Sequence, residues 1–180
     1  QESVESFVPA ESMEIIRTAV SSREAPVNAK WFEPILMASL RTKKVSDIAA
    51  ISEVCEGLEN RIMEAAYRVS TLEELVECVK SKRYTQTKIE RILWKSLLGI
   101  TQEFDNGPPE YIRILGMNQT GMKLLSAAKK NAALPLITKP SRLRGNDMFE
   151  FDVRTSGIYS LAFPSNRVYR NEYQTSPIVL

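Results

Sequence analysis

Six cations lie within the sixteen residues KSKRYTQTKIERILWK: Lys80, Lys82, Arg83, Lys88, Arg91 and Lys95, opposed by one acid, Glu90. The segment 80–95 carries a net charge of +5, whereas the 180-residue chain as a whole carries only +2. Concentrated charge on a nearly neutral protein reads as a local anion site. Tyr84, Thr85 and Thr87 sit among the cations, a mixture suited to phosphate and nucleotide contact. A helix beginning at Thr85 would aim its first amides and positive dipole end at Lys82 and Arg83. Tyr84 could stack on an unpaired base. The other reading is a solvated helix face whose cations balance the acids of residues 53–77.

Much other chemistry is excluded by composition. The chain has no histidine, so Ser-His-Asp and Cys-His catalysis, histidine metal sites and histidine bases are absent from it. The seven glycines are scattered and form neither common phosphate-loop pattern. Cys55 and Cys78 match no metal spacing and read as small buried side chains on helices in a reducing compartment, which makes the cytoplasm the expected location. No apolar run approaches the roughly 18 residues that span a bilayer, so no membrane partner is expected. The chain opens on Gln1 rather than Met, which reads as a fragment or a processed product.

The elements that must position the basic segment are mostly helices. Apolar spacing predicts helices over 10–21, 28–42 (with Pro34 in its first turn), 57–69, and from a Thr71 cap with Glu74 three residues on. A turn of helix is expected over 46–51. The loop 81–84 then leads to a helix over 86–100 capped by Thr85. Asn106-Gly107-Pro108-Pro109 marks the best boundary. Beyond it, a strand over 111–117, a helix over 120–130 and a strand over 134–138 predict a small β-α-β unit. Residues 140–145 read as a basic loop carrying Lys139, Arg142 and Arg144 at its edges, 146–161 as a helix, and the tail from Pro164 as extended. The expected fold is therefore mainly α: a helical domain over 1–104 with its basic segment 80–95, followed by a small α/β subdomain over 105–180. Arg113 reads as an outward-facing strand residue or a phosphate contact. Asp152, Arg154, Ser156 and Tyr159 read as a salt-bridged helix face.

The run from Lys82 to Lys88, followed by Arg91, resembles the K-R-Y-T-x-T-R-x-x-R stretch of the bacterial tRNA(Met) cytidine acetate ligases. So do EGLENRI at 56–62, YIRILGMNQTG at 111–121, PLITKPS at 135–141 and DVRTSGIYSL at 152–161. Lys88 departs from the pattern, which has arginine there and with it a bidentate phosphate contact. The resemblance implies an enzyme that uses ATP, with magnesium, to form acetyl-adenylate. It then transfers the acetyl group to N4 of the wobble cytidine of elongator tRNA(Met). That chemistry belongs to a nucleotidyltransferase-like N-terminal domain with a His-x-Gly-His motif, which this chain does not contain. By the resemblance, the chain is the C-terminal, tRNA-binding part, partnered by tRNA and by that missing domain, and it holds no cofactor or metal of its own. Lys82, Arg83, Thr85 and Arg91 carry over as matching positions; with Tyr84, Lys88 and Lys95 they are the expected RNA-binding set. The alternatives are the helical anticodon-binding domain of a class I aminoacyl-tRNA synthetase and a non-catalytic protein-interaction scaffold.

A chain without histidine or phosphate loop is expected to release no pyrophosphate from ATP and acetate. An assay of the purified chain checks this, and turnover above a buffer control contradicts it.

Overall fold

Periodic apolar residues decide where the helices form, and the computed structural model describes residues 4–105, 107–163 and 172–180. The chain divides into two units, residues 28–107 and residues 1–27 with 108–180. The first 27 residues group with the C-terminal segment and not with the helical unit.

The 28–107 unit is a helical bundle. A 3-10 turn over Ala29–Phe32 runs into α2, Glu33–Thr42, with Pro34 in the first turn, where its missing N–H costs nothing. (Helix α1, Ala10–Ser21, lies in the other unit.) There follow α3, Val45–Ala49; α4, Leu58–Arg68; α5, Leu72–Val79; α6, Gln86–Leu98; and the single turn α7, Gln102–Asp105. The residues that recur every third or fourth position meet in one core. Leu36 and Leu40 come from α2, Leu58 and Ile62 from α4, Leu75 and Val79 from α5, and Ile89 and Ile92 from α6. Thr71 accepts from the Glu74 amide at 3.2 Å, but the Glu74 carboxylate turns back to the Ser70 amide, so the expected capping box is displaced by one residue. Gly99, in the left-handed conformation, ends α6 at Leu98, two residues short of the predicted end.

One tie was invisible to local reading. The Arg41 guanidinium donates to the Ala66 and Val69 carbonyls at 2.9 and 2.8 Å, satisfying the C-terminal end of α4 from a helix 25 residues away.

In the other unit, the expected strand over 111–117 is two short strands, β1 (Ile112–Arg113) and β2 (Gly116–Met117). β1 pairs in parallel with β3 (Leu136–Ile137), and α8 (Gln119–Asn131) lies between them in sequence. β2 pairs in parallel with β4 (Ile178–Val179) instead. The tail thus supplies a strand; its residues 164–171, expected to be extended, lie outside the described residues. Asn146 caps α9, Asp147–Ser160, by accepting from the Phe149 amide at 2.9 Å. Phe149 is fully buried and packs edge-on against Tyr111 and Tyr173, with ring centroids 6.0 and 5.2 Å away. Arg113, expected to face outward, is instead a partly buried cation that donates to Glu172 at 2.6 Å and lies 5.9 Å from the Phe149 ring. Asp152 accepts from the Tyr111 hydroxyl, and burial, reinforced by that carboxylate, pushes the phenol well above its ordinary range.

Ile92 is fully buried at the centre of the bundle. Ile92→Ala is expected to lower unfolding stability by about 2–4 kcal/mol, read by denaturant titration. A loss below about 1 kcal/mol would contradict the core assignment.

Candidate nucleic-acid interface

The residues from Ser81 to Tyr84 close a tight turn through two backbone hydrogen bonds, Ser81 N–H to the Tyr84 carbonyl at 3.1 Å and Tyr84 N–H to the Ser81 carbonyl at 3.2 Å. Lys82 and Arg83 occupy the tip, both exposed. Thr85 then caps α6, its hydroxyl accepting from the Lys88 amide at 3.4 Å. The first turn of α6 therefore points its remaining amides, which have no intrahelical carbonyl to bond, toward the end that carries Lys82 and Arg83.

Tyr84, expected as a stacking ring, is not presented at the loop tip. It is 5% exposed and belongs to the bundle core, and its hydroxyl donates to the Cys55 carbonyl at 3.4 Å. An aromatic ring gains more from burial there than it could at a loop tip, and it serves instead as a floor for cations. Lys88 Nζ lies 5.6 Å and the Arg61 guanidinium 5.8 Å from its ring centroid. Arg61, within the EGLENRI motif on α4, was not among the predicted site residues. Its only sequence signal is membership of that motif.

At 100° per residue, Lys88, Arg91 and Lys95 share one side of α6. Facing them is the loop from Glu53 to Gly57, in which Glu53 and Glu56 have left-handed backbones, φ +73° and +56°. Non-glycine residues hold that conformation only where their surroundings enforce it. At Glu53 the surroundings are ionic. Glu53 takes a forked pair of hydrogen bonds from Arg91, with Nε to Oε1 at 2.7 Å, and a third from Lys95 Nζ at 2.8 Å. Lys95 also donates to the Ser52 hydroxyl at 2.6 Å and to Asp105 at 2.7 Å. Glu56 pairs with Arg83.

These contacts sort the predicted cations. The Lys95 side chain is only 14% exposed and is neutralised by two carboxylates, so it is a structural tie and not a surface cation. Arg91 is half exposed but committed to Glu53. Lys82 makes no ion pair among the described residues. The balancing of these cations by acids from residues 53–77 is thus realised for Lys80, which pairs with Glu77 at 3.0 Å, and for Arg83, Arg91 and Lys95, but not for Lys82 or Lys88. Lys88 Nζ is 3.8 Å from the Cys55 sulfur. Both cysteines are free and exposed, contrary to expectation. Cys55 lies in the loop, and Cys78 faces away from the buried Leu75–Val76–Val79 stripe of α5.

The Arg91 hydrogen bond, opposed by desolvation and reinforced by Lys95, brings the Glu53 carboxyl down to about 2. The Lys95 hydrogen bond, joined by that of Ser52, holds Asp105 below the usual carboxylate range. Desolvation works against the charged Lys95, but hydrogen bonds to Asp105 and Glu53 outweigh it and raise its pKa.

The other side of α6 has the opposite character. Gln86, Glu90 and Trp94 line a cavity of about 560 Å³ with Glu33, Glu73 and Glu77 on its far walls. Among the described residues no group of three His, Cys, Asp or Glu side chains could hold a metal ion, and no helix is long and apolar enough to cross a membrane.

Comparison with known proteins now defines the class. Residues 1–175 match the model of the HIGH Nucleotidyl Transferase family, and the chain belongs to that family. Similar curated proteins include tRNA(Met) cytidine acetate ligases. The one from Thermoanaerobacter sp. (strain X514) is 38% identical over 175 residues, covering 93% of this chain and 43% of the relative. The one from Acetivibrio thermocellus is 39% identical over 188 residues, covering 96% and 45%. Among solved structures, apo Thermotoga maritima TmcAL superposes with a TM-score of 0.86 at 29% identity, over 96% of this chain and 46% of that one. The form bound with alpha-thio ATP gives the same TM-score at 30% identity. The chain thus spans less than half the length of the relatives it matches.

The depressed Glu53 pKa carries a pH dependence. A carboxyl lowered on folding stabilises the protein fully above its unfolded value near 4.5, and that stability is lost as pH falls toward 2. Unfolding free energy is therefore expected to decline between pH 5 and pH 2, and to decline less steeply in Glu53→Gln. Equal slopes in the two proteins would show that the network contributes nothing.

Proposed function

We propose that this chain is the tRNA-engaging part of a tRNA(Met) cytidine acetate ligase, acting in the cytoplasm. The exposed end of α6 meets the RNA backbone, and Lys82, Arg83 and Lys88 contact phosphate. The observation that carries this reading is the convergence of the Lys82–Arg83 turn, the Thr85-capped helix start and the Lys88–Arg61 pair over Tyr84 on one end of the bundle. Charge, dipole and unsatisfied amides there favour the same kind of ligand. Arg91 and Lys95 act indirectly, by holding the Glu53 loop.

ATP and magnesium are assigned to the remainder of the ligase, which forms the acetyl-adenylate. The residues here do not fit a nucleotide site: there is no histidine to supply the motif that names the family, and no glycine-rich phosphate loop. The neighbour whose structure holds alpha-thio ATP is more than twice as long as this chain. We take the helical unit, residues 28–107, as the RNA-facing part and the unit formed by residues 1–27 and 108–180 as the α/β part.

Titration of fluorescently labelled tRNA against the chain at several salt concentrations tests the proposal. About three phosphate contacts predict a slope of log K against log salt of roughly −2 to −3. Lys82→Ala is expected to weaken binding without lowering stability, whereas Arg91→Ala is expected to lower stability first. A slope near zero, or tighter capture of an acidic protein than of tRNA, would favour the scaffold reading instead.

A further inference from the structure

We infer that Glu56 is a built-in competitor of the RNA backbone, which occupies Arg83 until a phosphate displaces it. The inference rests on the tRNA-binding reading above and goes beyond it by assigning a role to an acid. Two registered contacts force the pair together. Tyr84 donates to the Cys55 carbonyl, and the residues beside them, Arg83 and Glu56, form the ion pair. Because Tyr84 is anchored in the core, the turn that carries Arg83 cannot swing away from the loop that carries Glu56. The left-handed backbone at Glu56, immediately before the left-handed Gly57 that opens α4, fixes the direction of that loop.

The pair is built to exchange. The Arg83 and Glu56 side chains are 66% and 51% exposed, so water screens the attraction and little is lost when it opens. The Glu53 contacts differ, because that carboxylate is shared by Arg91 and the largely buried Lys95, which Asp105 also holds. Of the two acids in the loop, only Glu56 is free to leave. A phosphodiester is an anionic acceptor like the carboxylate, so Arg83 can trade one charged partner for the other. An isolated anion gains little from that trade. An RNA strand also gains Lys82, Lys88 and the start of α6 in the same event. Glu56 thereby lowers affinity for every anion but leaves the extended one able to bind.

A double-mutant cycle tests this, using a tRNA(Met) transcript as probe and four proteins: the unaltered chain, Glu56→Gln, Arg83→Ala and the double variant. Breaking an exposed pair of this kind corresponds to about two- to fivefold in affinity. Glu56→Gln is expected to bind tRNA tighter by that factor, and the gain is expected to vanish in the Arg83→Ala background. Glu56→Gly, which suits the left-handed backbone, is expected to give the same gain and guards against a folding artefact. An equal gain with and without Arg83 would mean diffuse charge repulsion and would overturn the inference. Unchanged or weaker binding by Glu56→Gln would overturn it too, by showing that the pair holds Arg83 in place for RNA. A salt-insensitive unaltered chain would instead sink the tRNA reading itself.

Discussion

One carboxylate organises the basic end of the bundle. Glu53 sits between Arg91 and Lys95, and through Lys95 it is joined to Ser52 and Asp105. That network binds the 51–57 loop to α6 and ties α7 to the same helix. A pair of this kind in full solvent contributes little, but charges held at low exposure and linked through shared hydrogen bonds reinforce one another. Losing Glu53 would leave Lys95, 14% exposed, with Asp105 as its one ion-pair partner, and would release a backbone held in the left-handed region. The network also decides which cations remain for a ligand: it consumes two of them and leaves the tip of the 81–84 turn in solvent.

The local order of the bundle could be read from the sequence because its signals are local. Apolar spacing placed α4 and α6 within two residues of their ends, and Thr71 and Thr85 were identified as caps from their own side-chain chemistry. The partners could not be read in this way. Arg91 and Glu53 are 38 residues apart, and Arg41 reaches carbonyls 25 and 28 residues on. Nothing in either neighbourhood marks the other. The segment 111–117 has uniform strand character, yet its two halves pair with strands that are distant from each other in sequence, Leu136–Ile137 and Ile178–Val179. The grouping of residues 1–27 with the C-terminal segment is likewise a long-range outcome.

The site itself was half visible. The concentration of charge at 80–95 and the helix start at Thr85 were plain. Tyr84 was misread because a loop aromatic among cations looks the same whether it faces solvent or the core; burial decides, and it depends on Cys55 and α4. Lys95 was misread because its acids lie elsewhere in the chain. The two sides of α6 also differ in a way that matters for orientation. Lys88, which has no ion-pair partner among the described residues, lies on one side, and Glu90 borders a cavity lined by Glu33, Glu73 and Glu77 on the other. The HIGH Nucleotidyl Transferase match runs over residues 1–175 of this chain, so it gives no support to the expectation that the nucleotidyltransferase-like domain lies wholly outside it.

The central claim is that RNA docks on the Lys82–Lys88 end of the bundle. Hydrogen–deuterium exchange of the chain with and without tRNA measures this directly, because the first-turn amides of α6 lack helical partners and exchange fast unless a ligand covers them. The account predicts slowed exchange over residues 82–88 and little change over residues 72–77 beside the acidic cavity. Protection confined to residues 72–77, or none at the start of α6, would contradict it.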